Sequence, residues 1–132
     1  MLDHISIPVR EFAKAAKFYD AVMATVGLRR TRDRPGAIGY GVEERLPPEF
    51  WILEQNDPAA ARSGPGLHLS FRVRGRAEVH AFHETALREG GRDAGAPGPR
   101  PQYTAGFYGA FVFDLEGFKI EAVAREALPP LP

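Results

Sequence analysis

The feature that most constrains the fold is an internal repeat in which equivalent residues lie 64 positions apart. Gly27 follows His4 after twenty-three residues, and Gly91 follows His68 after the same interval. Each copy has an alternating strand pattern, a serine two residues after the histidine, and an amphipathic helix pattern. A match in this order is harder to obtain by chance than helical spacing alone. The sequence therefore predicts a duplicated module.

Each copy is predicted to contain one strand, one helix and a three-stranded meander, which is an α+β arrangement. The first copy has a strand over 2–9, a helix over 10–26 and strands over 28–30, 37–42 and 50–54. The second has a strand over 67–73, a helix over 76–89 and strands over 91–93, 109–114 and 118–123. We expect a single domain, with module one at 1–55, a linker at 56–66, module two at 67–125 and an extended tail at 126–132.

The stretch 94–108 (AGAPGPRPQYTAGFY) separates the helix of the second copy from its last hairpin. It is longer and richer in Pro, Gly and Tyr than its counterpart, which favours a loop or lid. Its aromatic residues Tyr103, Phe107 and Tyr108 are of the kind that line ligand pockets. A plain surface loop is the alternative interpretation.

Charge and cysteine content exclude several classes of function. Seventeen Lys and Arg balance seventeen Asp and Glu, so no overall field attracts nucleic acid or anionic membranes. The absence of cysteine removes disulfides, thiolate metal sites and cysteine nucleophiles. The N-terminal segment is unlike a signal peptide, and no run of about 18 apolar residues occurs. We therefore expect a cytoplasmic protein with a small-molecule partner.

Strand alternation places the histidines together with one carboxylate. The apolar side of each strand must cover a helix, so His4 and His68 face the other way. In the last strand the same logic puts Glu121 on the side of the histidines. Two imidazoles and a carboxylate suit divalent Fe, Mn, Zn, Ni or Co. Spacing alone favours the alternative, in which the two strand histidines are satisfied by hydrogen bonds and the glutamate forms a salt bridge.

Other residues have similar alternatives. Arg72 on the same face would hold an anionic substrate group or form a salt bridge at the sheet edge, and Lys119 has the same ambiguity. Trp51 would stack on a planar ligand or fill the core of module one. The second helix carries His80 and His83-Glu84, which match no metal motif and are interpreted as a solvated helix face.

The segments MLDHISIPV, GLHLSFRV and FVFDLEGFKIEAV resemble the vicinal oxygen chelate superfamily, also called the glyoxalase/bleomycin resistance/dioxygenase family. The resemblance covers nearly the whole chain. It implies two βαβββ modules that form an incompletely closed eight-stranded sheet around a concave cavity, and often a homodimer. It also implies a divalent metal, with His4, His68 and Glu121 matching three of four usual ligand positions.

The fourth ligand position departs from the family pattern. Aligning 50–53 with 118–121 puts Leu53, which cannot bind a metal, opposite Glu121, and strand alternation turns the neighbouring Glu54 to the other face. Three ligands resemble the two-His-one-carboxylate site of the extradiol dioxygenases more than glyoxalase I.

The resemblance implies a lyase, isomerase or dioxygenase that chelates vicinal oxygens of a small substrate. We expect Glu121 and Tyr103 as catalytic residues and Trp51, Arg72, Tyr103, Phe107 and Tyr108 as substrate contacts. Glu54, Tyr103 and Tyr108 remain candidates for the general base. The alternative function is metal-independent binding or sequestration of a small molecule, similar to the bleomycin-resistance proteins.

Overall fold

A computed structural model describes residues 1–57, 64 and 66–132. Contacts between residues divide the chain into two compact units, Met1–Arg62 and Ser63–Pro132. Of the predicted linker 56–66, residues 58–63 and 65 lie outside the described residues. No helix in the described part of the chain is long and apolar enough to span a membrane.

The first unit is a four-stranded sheet with one helix. Its elements are β1 (Ile5–Val9), α1 (Phe12–Thr25), β2 (Arg29–Arg34), β3 (Ala37–Gly41) and β4 (Phe50–Glu54). The strand order is β1-β4-β3-β2, with β1 parallel to β4 and the other pairs antiparallel. The predicted alternation in β1 is confirmed, because Ile7 and Val9 are buried while Ser6 is exposed.

An aromatic cluster forms the core of the first unit between α1 and the sheet. The Tyr19 ring lies 5.1 Å from Phe50, and Tyr40 lies 6.0 Å from Phe50. All three side chains are at most 1% exposed. The Tyr40 hydroxyl donates to Asp20 Oδ1 at 2.9 Å, which gives the buried phenol the partner it needs. This burial places the apolar side of the strands under the helix, as the sequence predicted.

The second unit repeats the same topology. Its elements are β5 (His68–Val73), α2 (Arg76–Arg88), β6 (Arg92–Pro99), β7 (Phe107–Phe113) and β8 (Lys119–Arg125), in the strand order β5-β8-β7-β6. Strand β5 is parallel to β8, as β1 is to β4. Helix α2 packs on β7 and β8 with Val79, Phe82 and Ala86 fully buried. The predicted βαβββ duplication and the α+β class are confirmed.

A tight turn at Asp114–Gly117 sets where β8 begins. The Asp114 side chain accepts hydrogen bonds from the backbone N–H of Glu116 at 2.9 Å and of Phe118 at 2.8 Å. Gly117 has a φ of 87°, in the left-handed region that favours glycine. The Asp-x-x-Gly pattern thus fixes the start of the strand that carries Glu121.

The stretch 94–108 differs from the predicted loop, because β6 continues to Pro99 and β7 already begins at Phe107. The connection is therefore only residues 100–106. Strand β6 lies at the sheet edge, where proline is tolerated, and its register shifts twice, between Asp93 and Gly95 and between Gly95 and Gly98. Pairing with β7 overrides the loop-like composition.

Candidate functional site

The second unit carries a buried carboxylate on one face of its sheet. Glu121 pairs in register with Ser70, and the Ser70 hydroxyl donates to Glu121 Oε1. Its neighbours in β8, Ile120 and Ala122, are fully buried on the α2 side, so Glu121 points to the opposite face. The predicted sharing of one face by Ser70 and Glu121 agrees with this contact.

The surroundings of Glu121 do not compensate its charge. The residue is 3% exposed, yet within the described residues no Lys, Arg or His side chain lies within ion-pair distance of it. A buried carboxylate is strongly unfavourable unless a cation or several hydrogen bonds offset its desolvation. One hydroxyl supplies a single hydrogen bond. The site therefore fits a bound cation.

His68 lies on the same face, one step away on the ladder. It pairs in register with Lys119, two residues before Glu121, so the two side chains are diagonal neighbours on adjacent strands. The His68 ring packs edge-on against Phe111 at 5.8 Å, and no hydrogen bond to its nitrogens occurs among the described residues. An imidazole and a carboxylate in this arrangement suit a divalent transition metal.

The first unit contains a cavity of about 400 Å³ on its own sheet face. Trp51 and Leu53 of β4 lie on this face, and the Arg34 guanidinium sits 5.7 Å from the centre of the Trp51 ring. His4 and Ser6 also line the cavity. Trp51 is thus partly exposed and lines the cavity instead of filling the core, which favours contact with a ligand.

His4 is held by its neighbour Asp3. His4 Nδ1 lies 2.5 Å from Asp3 Oδ2, and both side chains are largely exposed. Metal-binding histidines typically hold one ring nitrogen on a carboxylate and use the other for the metal. The contact leaves Nε2 of His4 for such a role.

Strand register corrects one correspondence between the modules. Ser6 pairs with Trp51, as Ser70 pairs with Glu121, so the counterpart of Glu121 is Trp51 and not Leu53. The predicted alignment was two residues out, because the loops before β4 and β8 differ in length. Glu54 pairs with Val9 and does not line the cavity. Module one therefore offers no carboxylate at this position in either alignment.

The aromatic residues predicted to contact substrate lie in different places. Tyr108 faces α2, where its hydroxyl is 2.7 Å from His80 Nε2 and its ring lies under Arg76 at 4.4 Å. Phe107 is buried on the other side of β7, with the half-exposed Tyr103 ring 5.1 Å away. Phe107 and Tyr103 therefore contact each other, whereas Tyr108 lies on the opposite face of the sheet.

The second helix is less solvated than its sequence indicates. His83 is 8% exposed, and its Nε2 lies 2.9 Å from Asp93 Oδ1. The hydrogen bond from His83, followed by one from the Gly95 N–H, holds the pKa of Asp93 below its usual value. The interpretation of His83 as part of a solvated face is wrong, because β6 extends beside the helix and covers it, whereas His80 and Glu84 are exposed.

No three His, Asp or Glu side chains of the described residues are grouped so that they would hold a metal ion together. Within the second unit, His68 and Glu121 are the two donors that share a face. His4 belongs to the first unit.

Comparison with known proteins identifies the family. A family model described as Glyoxalase/Bleomycin resistance protein/Dioxygenase superfamily matches residues 1–122. A glyoxalase/bleomycin resistance protein from Albidiferax ferrireducens T118 is 27% identical, with a TM-score of 0.80 over 93% of this chain and 98% of that chain. A comparison with curated proteins found no match.

More distant solved structures share the fold. The fosfomycin resistance protein FosX from Mesorhizobium loti is 16% identical, with a TM-score of 0.66 over 94% of this chain and 91% of that chain. A glyoxalase I mutant from Zea mays is 18% identical, with a TM-score of 0.69 over 92% of this chain and 45% of that chain. The match of the family model over most of the sequence shows that this chain belongs to the glyoxalase/bleomycin resistance protein/dioxygenase superfamily.

Proposed function

We propose that the protein is a divalent-metal-dependent enzyme that binds a small substrate through two vicinal oxygens. The observation that carries this proposal is Glu121, a buried carboxylate beside His68 with no cationic partner among the described residues. A bound metal ion would offset the charge of such a carboxylate. Membership of a superfamily that includes glyoxalases and dioxygenases supports the same conclusion.

His4, His68 and Glu121 are the proposed ligands: His68 and Glu121 already share one face, and His4 would complete the set when the ion binds. Ser70 holds Glu121 Oε1 and thereby orients the carboxylate, so that Oε2 remains for the ion. Asp3 holds Nδ1 of His4 and orients its ring in the same way. A bound divalent ion would supply Lewis-acid stabilisation of negative charge on the substrate oxygens.

The remaining proposed site residues bind and orient the substrate. Trp51 offers an aromatic surface for a planar group, and Arg72 offers a cation for an anionic one. Tyr103 and Phe107 form an aromatic edge at the start of β7. Tyr103, whose hydroxyl is accessible, is the proposed acid–base residue. Tyr108 would join them only through a rearrangement of its contact with His80.

Metal titration tests the proposal. The full-length protein, purified without an affinity tag, is titrated anaerobically with Fe(II), Mn(II), Zn(II), Ni(II) and Co(II) by calorimetry. We expect one ion per chain, and at least a 100-fold weaker affinity in each of His4→Ala, His68→Ala and Glu121→Ala. The matched control is His80→Ala, which removes an imidazole outside the proposed site. Unchanged affinity in the His68 and Glu121 variants would contradict the ligand assignment.

The cavity of the first unit supports a second candidate, metal-independent binding or sequestration of a small molecule. Its 400 Å³ volume and the Arg34–Trp51 pair suit a planar ligand without any metal. Trp51 is the one tryptophan of the sequence, so its emission reports on this cavity directly. Quenching by 4-nitrocatechol that is unchanged by EDTA would favour this candidate. Quenching that requires the metal would favour the enzyme.

We also propose that the protein acts in the cytoplasm and that it forms a homodimer. The second part rests on the superfamily, many members of which are homodimers. Light scattering at working concentration tests the second part. A mass near 29 kDa, twice the 14.5 kDa of the chain, is expected. A mass near 14.5 kDa would contradict it.

A further inference from the structure

Arg72 is another charged residue on the Glu121 face of β5 and β8, which by strand alternation also carries Lys119 and Arg125, and its guanidinium is only partly hydrogen-bonded. Arg72 lies two residues after Ser70 on β5 and pairs in register with Val123, two residues after Glu121. Its Nη2 donates to the backbone oxygen of Pro129 at 2.6 Å. Its Nε is buried and, among the described residues, has no hydrogen-bond partner.

The same edge of the guanidinium is filled differently in two other arginines of the chain. The Nε–H and one Nη2–H point in the same direction and form a fork that matches the two oxygens of a carboxylate. Arg30 donates from Nε and Nη2 to the two oxygens of Asp20 at 3.2 and 2.7 Å. Arg76 makes the same paired contact with Glu126. At Arg72 no carboxylate fills this fork: Nη2 donates to a single carbonyl oxygen, and Nε has no partner among the described residues.

Residues 128–132 supply the carbonyl and are lightly held, whereas Glu126 before them is anchored by Arg76 and donates its backbone N–H to Gly106 O at 2.8 Å. Beyond β8, residues 126–132 contain no helix or strand. Leu128 N donates to Arg125 O at 3.1 Å, Leu128 is 52% exposed, and Pro129 is exposed. A neutral carbonyl is also a weaker partner for a guanidinium than a carboxylate, which adds charge and a second hydrogen bond.

We propose that the Nε/Nη2 edge of Arg72 binds a carboxylate of the ligand, which takes the place of the Pro129 carbonyl and displaces residues 128–132 from this face, while Glu126 stays anchored. The inference rests on the proposed function only in calling that ligand the substrate. It narrows the substrate class to acids. Because Arg72 and Glu121 are offset by two residues, roughly 7 Å along the strands, the carboxylate and the chelating oxygens belong at opposite ends of a small molecule.

A pair of probes isolates the carboxylate. In 3,4-dihydroxybenzoate a carboxylate and a vicinal diol lie at opposite ends of one ring, and catechol is the same diol without the carboxylate. The Arg72 Nε–H and the amides of Leu128 and Leu131 are followed by ¹H–¹⁵N NMR of the labelled, metal-free, full-length protein. We expect 3,4-dihydroxybenzoate to shift all three signals, and catechol to leave the Arg72 signal in place.

Two variants distinguish the paired hydrogen bonds of the Arg72 guanidinium from the effect of its positive charge. Arg72→Gln should weaken binding of 3,4-dihydroxybenzoate at least tenfold, and Arg72→Lys, which keeps the charge without the fork, should fail to restore it fully. The matched control is Arg74→Gln, an exposed arginine just beyond β5. An unmoved Arg72 signal, or equal binding by wild type and Arg72→Gln, would overturn the inference.

The metal titration described above keeps the two proposals apart. Metal binding without an Arg72 response would remove only the carboxylate subsite. An Arg72 response in a protein that binds no metal would leave the subsite and remove the metalloenzyme.

Discussion

Replacing Glu121 with methionine should stabilise the metal-free protein. Burying an ionised carboxylate at 3% exposure costs several kcal/mol, and the hydrogen bond from Ser70 offsets about 1.5–3 kcal/mol of it. Methionine has a similar volume and a flexible apolar chain, so it avoids this cost and fills the same space. Ser70 is exposed and regains its hydrogen bond from water. We therefore expect the free energy of unfolding of Glu121→Met to rise by roughly 1–3 kcal/mol without metal.

When metal is added, the wild-type protein should become more stable than Glu121→Met. At an ion concentration 100 times the dissociation constant, the wild-type protein gains about 2.7 kcal/mol, whereas Glu121→Met lacks a ligand and gains little. Urea denaturation in EDTA and in excess Co(II) measures both differences. The control is Glu84→Met, at an exposed helix position, where either condition should change stability by less than about 0.5 kcal/mol. A metal-free Glu121→Met protein that is less stable than wild type would contradict this prediction and would mean that protein groups already compensate the carboxylate.

Three further predictions concern contacts that lie within one unit or within the other. Tyr40→Phe, which leaves Asp20 without its buried hydroxyl donor, should cost about 1–2 kcal/mol in urea denaturation. Burial and the nearby charge of Asp20 raise the pKa of Tyr40, so wild type and Tyr40→Phe should show equal phenolate absorbance at 295 nm up to pH 11. The fold should lose stability as the pH rises above about 10, where the tyrosine of the unfolded chain ionises. A phenolate from Tyr40 below pH 11 would contradict this. Asp114→Ala, which removes the acceptor of two turn N–H groups, should cost about 2–3 kcal/mol; a loss below about 0.5 kcal/mol would show that the turn does not need it. The His83 contact lowers the pKa of Asp93, so the stability advantage of wild type over Asp93→Asn should be present above pH 4 and shrink as the pH falls through the folded pKa; a pH-independent difference in acid denaturation would count against it.

Local patterns predicted most of the fold, because they act within a few residues. Alternation in β1 and β5 and the apolar stripe of each helix are local patterns, and the matching order of the two copies made the topology predictable. The strand predicted at 91–93 was found, but its extension to Pro99 was missed, because Pro and Gly residues are tolerated at an edge strand and sequence alone does not reveal the edge.

The parts of the site that escaped prediction depend on pairing over long distances. The counterpart of Glu121 is set by which β4 residue faces Ser6, and loop lengths shift that register by two residues. The contact of Arg72 with Pro129 spans 57 residues. The burial of His83 depends on how far β6 extends. None of these leaves a local signal, whereas the shared face of Ser70 and Glu121 follows from alternation alone.

X-ray absorption spectroscopy of the full-length protein loaded with one equivalent of Zn(II) counts the imidazoles around the bound ion and therefore tests the proposed ligand set. We expect two imidazole nitrogens, from His4 and His68, at about 2.0–2.1 Å, with carboxylate oxygen from Glu121 completing the protein ligands. His68→Ala should lower the imidazole count to one. An all-oxygen shell, or an unchanged shell in His68→Ala, would show that these residues do not bind the ion.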